Sequence, residues 1–77
     1  MLLKLLRHLL IPLLEDPSNL SIDHLDTPEV DVFLISVAQG DRGHVLGREG
    51  KTADAVRGLV KRAAETVDRD VVIDILD

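Results

Sequence analysis

The spacing of hydrophobic and polar residues changes along the chain, and each spacing predicts one element. Residues 1–14 are mostly leucine, which predicts a helix buried on most sides and bent at Pro12. Apolar and polar residues alternate over 20–25 and predict a strand, whereas 30–37 is apolar on both faces and predicts a central strand. The polar segment 26–29 predicts the turn between these strands.

Three further elements follow the two strands. Residues 42–46 predict about one helical turn, 47–50 predict a loop, and 51–67 predict a long amphipathic helix. The last strand is predicted at 70–76. The apolar face of the long helix is formed by Ala53, Val56, Val60, Ala63, Ala64 and Val67, and that of the last strand by Val71, Ile73 and Ile75.

This order of elements predicts an α+β fold with a three-stranded mixed sheet and three helices packed on one face. The short turn makes the first two strands antiparallel, and the crossover through the long helix makes the second and third strands parallel. We expect one domain over 1–77, with an N-terminal helix and linker at 1–19 and the remaining elements at 20–77.

Charge is distributed unevenly over the 77 residues, whose net charge is −5. The segment 41–62 holds six basic and three acidic residues, a net of +3, so the rest of the chain is strongly acidic. The leucine-rich helix would span about 21 Å, too short for a bilayer core of about 30 Å, so no membrane insertion is expected. The chain has no cysteine, which favours a cytoplasmic location.

The Gly-Arg-Glu-Gly segment at 47–50 is common by itself, but its position before a long helix gives it chemical meaning. A helix N-terminus favours anions, and two glycines let a phosphate approach the backbone. We expect phosphate contacts on the amides of Arg48, Glu49 and Gly50, with Arg48 and Lys51 adding charge. The alternative is structural, with Gly47 ending one helix and Gly50 starting the next.

The stretch Gly-His-Val-Leu-Gly-Arg-Glu-Gly-Lys-Thr at 43–52 resembles the signature of KH domains, which clamp a nucleic-acid backbone. With Pro12-Leu13, Asp16-Pro17, Thr27-Pro28-Glu29 and Ala55-Val56-Arg57, it resembles the bacterial KhpA family of stand-alone KH proteins over essentially the whole chain. The RNA-binding residues implied are Gly43, His44, Leu46, Gly47, Arg48, Glu49, Gly50, Lys51 and Arg57.

The resemblance implies a type II-like KH domain that binds single-stranded RNA as a chaperone or post-transcriptional regulator. It also implies self-association and pairing with a Jag-type KH-containing protein. The chain has one Phe and no Tyr or Trp, so stacking platforms are not expected; bases would lie in a groove beside Val45 and Leu46. The alternative function is a dimerisation module with little intrinsic RNA affinity, because Glu49 and the acidic charge oppose RNA.

An apolar strip beside the core face of the long helix is a candidate dimer interface. It consists of Ala55, Leu59 and Thr66. Leu59 lies about 60° from Val56 around the helix, on the side away from Val60. The alternative is that Leu59 packs under the short helix at 42–46, and the periodicity alone leaves both open.

Catalytic and metal chemistry have little support in the sequence. The three histidines fall in different elements, and no cysteine nucleophile is present, so we expect no enzyme and no cofactor. Asp23, His24 and Asp26 are close in sequence, but on a strand only His24 and Asp26 share a face. Solvated edge charges are therefore favoured over a metal site.

Overall fold

The fold is a small sheet covered by helices, seen in a computed structural model that describes residues 1–76; Asp77, the end of the predicted domain, lies outside the described residues. The elements are α1 (Leu2–Leu10), β1 (Ser21–Asp26), β2 (Val30–Ser36), α2 (Arg42–Leu46), α3 (Lys51–Glu65) and β3 (Asp70–Ile75). Single turns of 3₁₀ helix occupy Ile11–Leu13, Pro17–Asn19, Gln39–Asp41 and Arg48–Gly50. The order of elements agrees with the prediction.

The sheet has the order β1-β2-β3, with β2 in the centre. β1 pairs antiparallel with β2, and β2 pairs parallel with β3, as the short turn and the helical crossover predict. Phe33 of β2 lies opposite His24 of β1 and Ile73 of β3, so these three side chains share one face of the sheet. The predicted three-stranded mixed sheet is confirmed.

All three helices contribute to one core on that face. The core joins Leu2, Leu6 and Leu10 of α1, Val45 of α2 and Val56, Val60 and Ala64 of α3 to Phe33, Ile35 and Ile73 of the sheet. Residues three or four apart in a helix lie on the same side, so each helix presents one apolar stripe to the sheet. The α+β architecture predicted from the spacing of apolar residues is thereby confirmed.

The first helix is shorter and less buried than the sequence predicts. α1 ends at Leu10, and a 3₁₀ turn with Pro12 at its second position replaces the rest of the predicted helix. Pro12 has no amide hydrogen for the α-helical ladder, which explains the change. Lys4, Arg7 and His8 are exposed, so α1 is buried on one face and not on most sides.

The long helix ends two residues earlier than predicted, and Val67 is half exposed. Asp68 adopts a left-handed conformation with φ 55°, its amide donates to Glu65 O, and the Arg69 amide donates to Ala64 O at 2.9 Å. This is a Schellman motif, which usually has glycine at the left-handed position. Val67 therefore leaves the core face, because the chain turns before it can pack there.

The buried carboxylate of Asp41 fixes the beginning of α2. It accepts hydrogen bonds from the amides of Glu15 and Asp16, both at 2.9 Å, and its residue is only 2% exposed. A buried carboxylate is stable when its oxygens are hydrogen-bonded. This contact joins the α1–β1 connection to α2, and it thereby positions the loop that follows α2.

Candidate functional site

The loop at 47–50 projects from the junction of α2 and α3. α2 ends at Leu46, the capping residue Gly47 has φ and ψ of 74° and 178°, and α3 begins at Lys51. Between them, Glu49 and Gly50 both have left-handed backbones, with φ of 56° and 76°. These conformations bend the chain sharply, so that α2 and α3 meet at a tight exposed corner.

The two glycines of this loop have different roles. A Cβ at Gly47 would overlap the side chain of Thr52 and lie 2.8 Å from the Thr52 amide nitrogen, so this close approach requires glycine. A Cβ at Gly50 would meet nothing within 4 Å, so the space around Gly50 is open. The structural role considered for Gly47 is therefore present, whereas the surface at Gly50 is accessible to a ligand.

The backbone amides of the loop are not equally available to a ligand. The Gly50 amide donates to Gly47 O at 3.2 Å, and the Lys51 amide donates to Arg48 O. Gly50 therefore differs from the sequence-based expectation, because the 3₁₀ turn already uses its hydrogen. The amides of Arg48 and Glu49 belong to the exposed tip of the loop, and an anion can approach them directly.

Charged side chains lie around the tip of this loop. Arg48, Glu49 and Lys51 are all exposed, and within residues 1–76 none of these side chains has a hydrogen bond or ion pair. Two cations and one carboxylate leave a net positive charge beside the N-terminus of α3, where the helix dipole is also positive. The loop can therefore attract an anion.

A groove lies between α3 and β3, farther along the helix than the loop. Its helical side is formed by Arg57, Gly58 and Lys61, and its floor is formed by residues 71–73 of β3. Around α3, Gly58 lies close to the direction of Lys51, whereas Lys61 and Arg57 lie about 80° and about 120° from it. Lys61 lies about 15 Å along the axis from Lys51 at about 1.5 Å per residue. The groove thus adds an apolar floor and two cations to the positive loop.

Arg57 lies at the free edge of the sheet. Its Nε donates to Ile73 O at 3.2 Å, and its Nη1 is 3.3 Å from Oδ1 of Asp54. Arg57 thus lines the groove, nearly two helical turns along α3 from the loop. Sequence reasoning missed the groove as a whole, although Arg57, Gly58 and Lys61 at helical spacing indicate a polar face.

The residues of α2 are divided between the core and the surface near the loop. Val45 is fully buried in the core, so the expectation that bases lie beside it is wrong; Leu46 is half-buried. Gly43 and His44 are exposed, and the His44 ring nitrogen lies 3.8 Å from a Glu15 carboxylate oxygen. α2 therefore contributes Gly43, His44 and part of Leu46 to the surface near the loop.

Comparison with protein families identifies the fold. The family model described as KhpA/KhpB, KH domain, matches residues 4–75. This chain belongs to that family. The RNA-binding protein KhpA of Bacillus subtilis is 30% identical over 73 residues, covering 95% of this chain and 90% of the relative. That of Leifsonia xyli subsp. xyli is 32% identical over 77 residues, covering 100% of this chain and 99% of the relative. The family resemblance seen in the sequence is confirmed.

A solved structure shares the fold at lower sequence identity. The GDP- and AlF4⁻-bound crystal structure of Aquifex aeolicus Era superposes with a TM-score of 0.69 at 15% identity. The match covers 96% of this chain and 29% of that chain, so it corresponds to one part of a larger protein. Within residues 1–76, no helix has both the length and the apolar character needed to cross a membrane.

The strip predicted as a dimer interface lies on the surface. Ala55 and Thr66 are exposed, and Leu59 is 54% exposed. The alternative that Leu59 packs under α2 is wrong, since such packing would bury Leu59, whereas α2 directs Val45 into the core. The Thr66 hydroxyl donates to Ala63 O at 2.6 Å, so the apolar part of the strip is centred on Leu59.

A polar cluster joins the β1–β2 hairpin to the end of α3. Asp31 is 7% exposed and accepts a hydrogen bond from Arg69 Nε at 3.0 Å, while His24 Nε2 lies 2.7 Å from its other oxygen. The His24 ring also stacks on Phe33, with centroids 4.5 Å apart. Hydrogen bonds from Arg69 and then from His24 hold the pKa of Asp31 below its ordinary value.

This cluster changes the interpretation of the acidic residues on β1. Ligand atoms of His24, Asp26 and Asp31 lie within 4.8 Å of one another, as a metal site would require. Arg69 donates to both carboxylates, however, and a guanidinium between them repels a cation. His24 and Asp26 are thus not simply solvated edge charges, because the cluster includes the buried Asp31 and Arg69.

Proposed function

We propose that this protein binds single-stranded RNA through the loop at 47–50 and the groove between α3 and β3. The observation that carries the proposal is the open loop, where Arg48 and Lys51 have no partner within residues 1–76. The relatives described above are named RNA-binding proteins. The order of helices and strands also agrees with a type II-like KH domain, a module that binds RNA through such a loop.

In the proposed complex, phosphates contact the loop and bases enter the groove. The amides of Arg48 and Glu49 donate to phosphate oxygens, with Lys51 as a second cation. Arg57 and Lys61 then flank the bases that lie on the apolar floor. Because no exposed aromatic residue is available for stacking, affinity rests on charge and apolar contact and is modest.

The first experiment measures polarisation of a labelled, mixed-sequence single-stranded RNA as protein is added. Replacing Arg48 and Glu49 by Asp should weaken binding at least tenfold for all sequences, because it removes loop charge without affecting the core. Neutralising two or three phosphates predicts a slope of log K against log salt of about −1.4 to −2.1.

The matched control is Arg7→Asp, which changes net charge by the same amount on the exposed face of α1. It should retain most of the parent's affinity. If the double-Asp variant binds RNA as tightly as Arg7→Asp, the loop is not the binding site.

The proposal includes self-association through the strip of Ala55, Leu59 and Thr66, or pairing of this strip with a Jag-type KH protein. Leu59 is a large apolar side chain, and a 77-residue domain gains stability when a second chain covers it. A symmetric dimer would carry two RNA-binding loops and gain affinity from bivalency. This would offset weak binding at each single loop.

Mass in solution tests this association. The parent should be dimeric at high concentration, and Leu59→Asp should be monomeric. Leu25→Asp is a matched control, since Leu25 is 53% exposed on the sheet, and it should leave the mass unchanged. A parent that stays monomeric, or a Leu59→Asp protein that remains dimeric, rejects this interface.

The alternative function is a dimerisation module with little intrinsic RNA affinity. Glu49 in the loop and the net charge of −5 favour it, because both repel phosphate. A parent that dimerises through Leu59 but does not bind RNA in the polarisation assay would support this alternative. Salt-dependent binding would instead support RNA binding through the loop, which a role as an RNA chaperone or post-transcriptional regulator requires.

A further inference from the structure

The face of the sheet opposite the helices carries an apolar row. Leu25 pairs with Val32 and Val32 pairs with Val72, so one side chain from each strand projects there side by side. Leu25 is 53% exposed and Val72 is 50% exposed. In the next row, Leu34 lies between Asp23 and Asp74. The row is therefore an accessible apolar surface, bordered by carboxylates.

The charge of this outer face is acidic, in contrast to the loop and groove. Within the three strands, Asp23, Asp70 and Asp74 alternate onto this face, and no Lys or Arg occurs in them. An RNA backbone or an anionic membrane would be repelled here. A second copy docked through the same face would bring six aspartates together, which opposes that arrangement as well.

We propose that this face binds an amphipathic helix of another protein, with an apolar stripe flanked on both sides by Lys or Arg. Asp23 and Asp74 lie on opposite edge strands, two strand spacings or about 10 Å apart, which matches the diameter of a helix. The helix would lie along β2, with apolar side chains on Val32 and Leu34. Its basic flanks would pair with the carboxylates on either side.

The length of the surface sets the length of the partner segment. From Val30 to Leu34 the strand advances about 13 Å, which corresponds to about nine helical residues. Two helical turns then supply three or four apolar residues along one side. The centre of the face, Val32 and Leu34, belongs neither to the loop at 47–50 nor to the groove, and only Val72 lies at the border of both surfaces. The surface therefore does not depend on the proposed RNA binding.

Synthetic peptides test the surface directly. One labelled helical 14-residue peptide carries Leu at i, i+3, i+4 and i+7 with Lys on both flanks, and its partner peptide has Glu in place of each Lys. The parent should bind the Lys peptide in a polarisation assay and should bind the Glu peptide at least tenfold more weakly. Replacing Asp23 and Asp74 by Lys should reverse this preference.

The control variant replaces Glu15 and Glu65 by Lys, which makes the same change of net charge on exposed positions away from the sheet. It should keep the parent's preference for the Lys peptide. Amide and methyl shifts caused by that peptide should centre on Leu25, Val32 and Leu34. Only a folded charge-swapped variant can show a reversed preference. The NMR spectrum of that variant without peptide shows whether it is folded.

Three results would overturn the proposal. The first is an unchanged preference between the two peptides in the charge-swapped variant, and the second is a set of shifts in the loop and α3 instead of the sheet when the Lys peptide is added. The third is self-association through this face, in which Lys4 and Arg7 on α1 of a second copy supply the basic flanks. In that case the parent would be oligomeric in solution, and the double variant Lys4→Ala, Arg7→Ala would have a lower mass. The partner bound at this face would then be another copy of this chain.

Discussion

The two ends of α3 are built from similar backbone but differ in what their charged side chains contact. Each end has a left-handed residue that is not glycine, Glu49 before the helix and Asp68 after it, with φ of 56° and 55°. At the C-terminal end, Arg69 donates to Asp31 and Asp26 and to the carbonyls of Thr27 and Pro28. At the N-terminal end, Arg48 has no partner within residues 1–76.

The difference separates charge that stabilises the fold from charge that is available to a ligand. Arg69 closes a network across segments about forty residues apart, so removing it should affect stability. Arg48 adds nothing to the packing of residues 1–76, so removing it should affect binding. The tight approach of Gly47 to Thr52, which leaves no room for a Cβ, involves no charge.

The largest effect on stability is expected at Gly47. Gly47→Ala places a Cβ against Thr52 with a φ of 74°, and should lower the free energy of unfolding by about 3 kcal/mol. Gly50→Ala has the same sign of φ but open space, and should lower it by about 1 kcal/mol. Urea denaturation measures both values.

A second change in the same loop sharpens this test. Thr52→Ala in the Gly47→Ala background should recover part of the lost stability, because it removes the hydroxyl that the new Cβ meets. Recovery is only partial because the new Cβ still lies 2.5 Å from the Cβ and 2.8 Å from the amide nitrogen of residue 52. Equal losses at Gly47 and Gly50 would mean that the close approach of Gly47 to Thr52 does not fix the loop.

The next effect distinguishes the two ends of α3 by charge. Arg69→Met should lower Tm by about ten degrees, since it leaves the buried Asp31 with His24 alone and frees the turn carbonyls. Arg48→Met should leave Tm unchanged within about two degrees and weaken RNA binding several-fold. Thermal denaturation and RNA polarisation on both variants give the comparison. Loss of stability in Arg48→Met, or its absence in Arg69→Met, would remove the distinction drawn above.

Acid should diminish the contribution of the Arg69 cluster. The pKa of Asp31 is held below its ordinary value of 3.8, mainly by the Arg69 hydrogen bond and then by His24. The stabilisation is therefore complete above about pH 4 and is lost as pH falls through the lower folded pKa. The difference in urea midpoint between the parent and Arg69→Met should be smaller at about pH 2.5 than at pH 7. A difference that is independent of pH would exclude ionised Asp31 as the partner.

The smallest effects are expected at Glu49, where backbone strain and charge can be separated. Glu49→Gly should raise the free energy of unfolding by up to about 0.5 kcal/mol, because glycine accepts a φ of 56° more easily. Glu49→Gln keeps the strain but removes the carboxylate. Both variants, and Glu49→Lys still more, should bind RNA a few-fold more tightly than the parent. If Glu49→Lys weakens binding, phosphates do not approach this side of the loop.

The sequence predicted the elements whose contacts are local and repetitive. Alternation in β1, the apolar run of β2 and helical spacing in α3 each concern neighbouring residues, so the strands and the core stripe followed from them. The exposed position of Leu59 beside the core was predicted for the same reason, as one of two alternatives. The end of α3 was misplaced because Asp68 occupies a position where glycine usually signals the turn.

Features formed by distant residues were not predicted. Asp31 and Arg69 are 38 residues apart, and nothing in either neighbourhood indicates their hydrogen bond. The groove between α3 and β3 forms only when the crossover places the helix against the strand edge. The loop itself was predicted, but the hydrogen bond that occupies the Gly50 amide depends on a 3₁₀ turn that local spacing does not indicate.

Chemical-shift mapping of RNA on the protein tests the central claim most directly. A short single-stranded RNA, added in steps to isotope-labelled protein, should shift the amides of 47–51 and those of 57–61 together. The side-chain methyls of Leu25, Val32 and Leu34, on the acidic outer face, should not move. Shifts on the outer face with an unchanged loop, or no shifts at low salt with RNA in excess, would contradict RNA binding by the loop and groove.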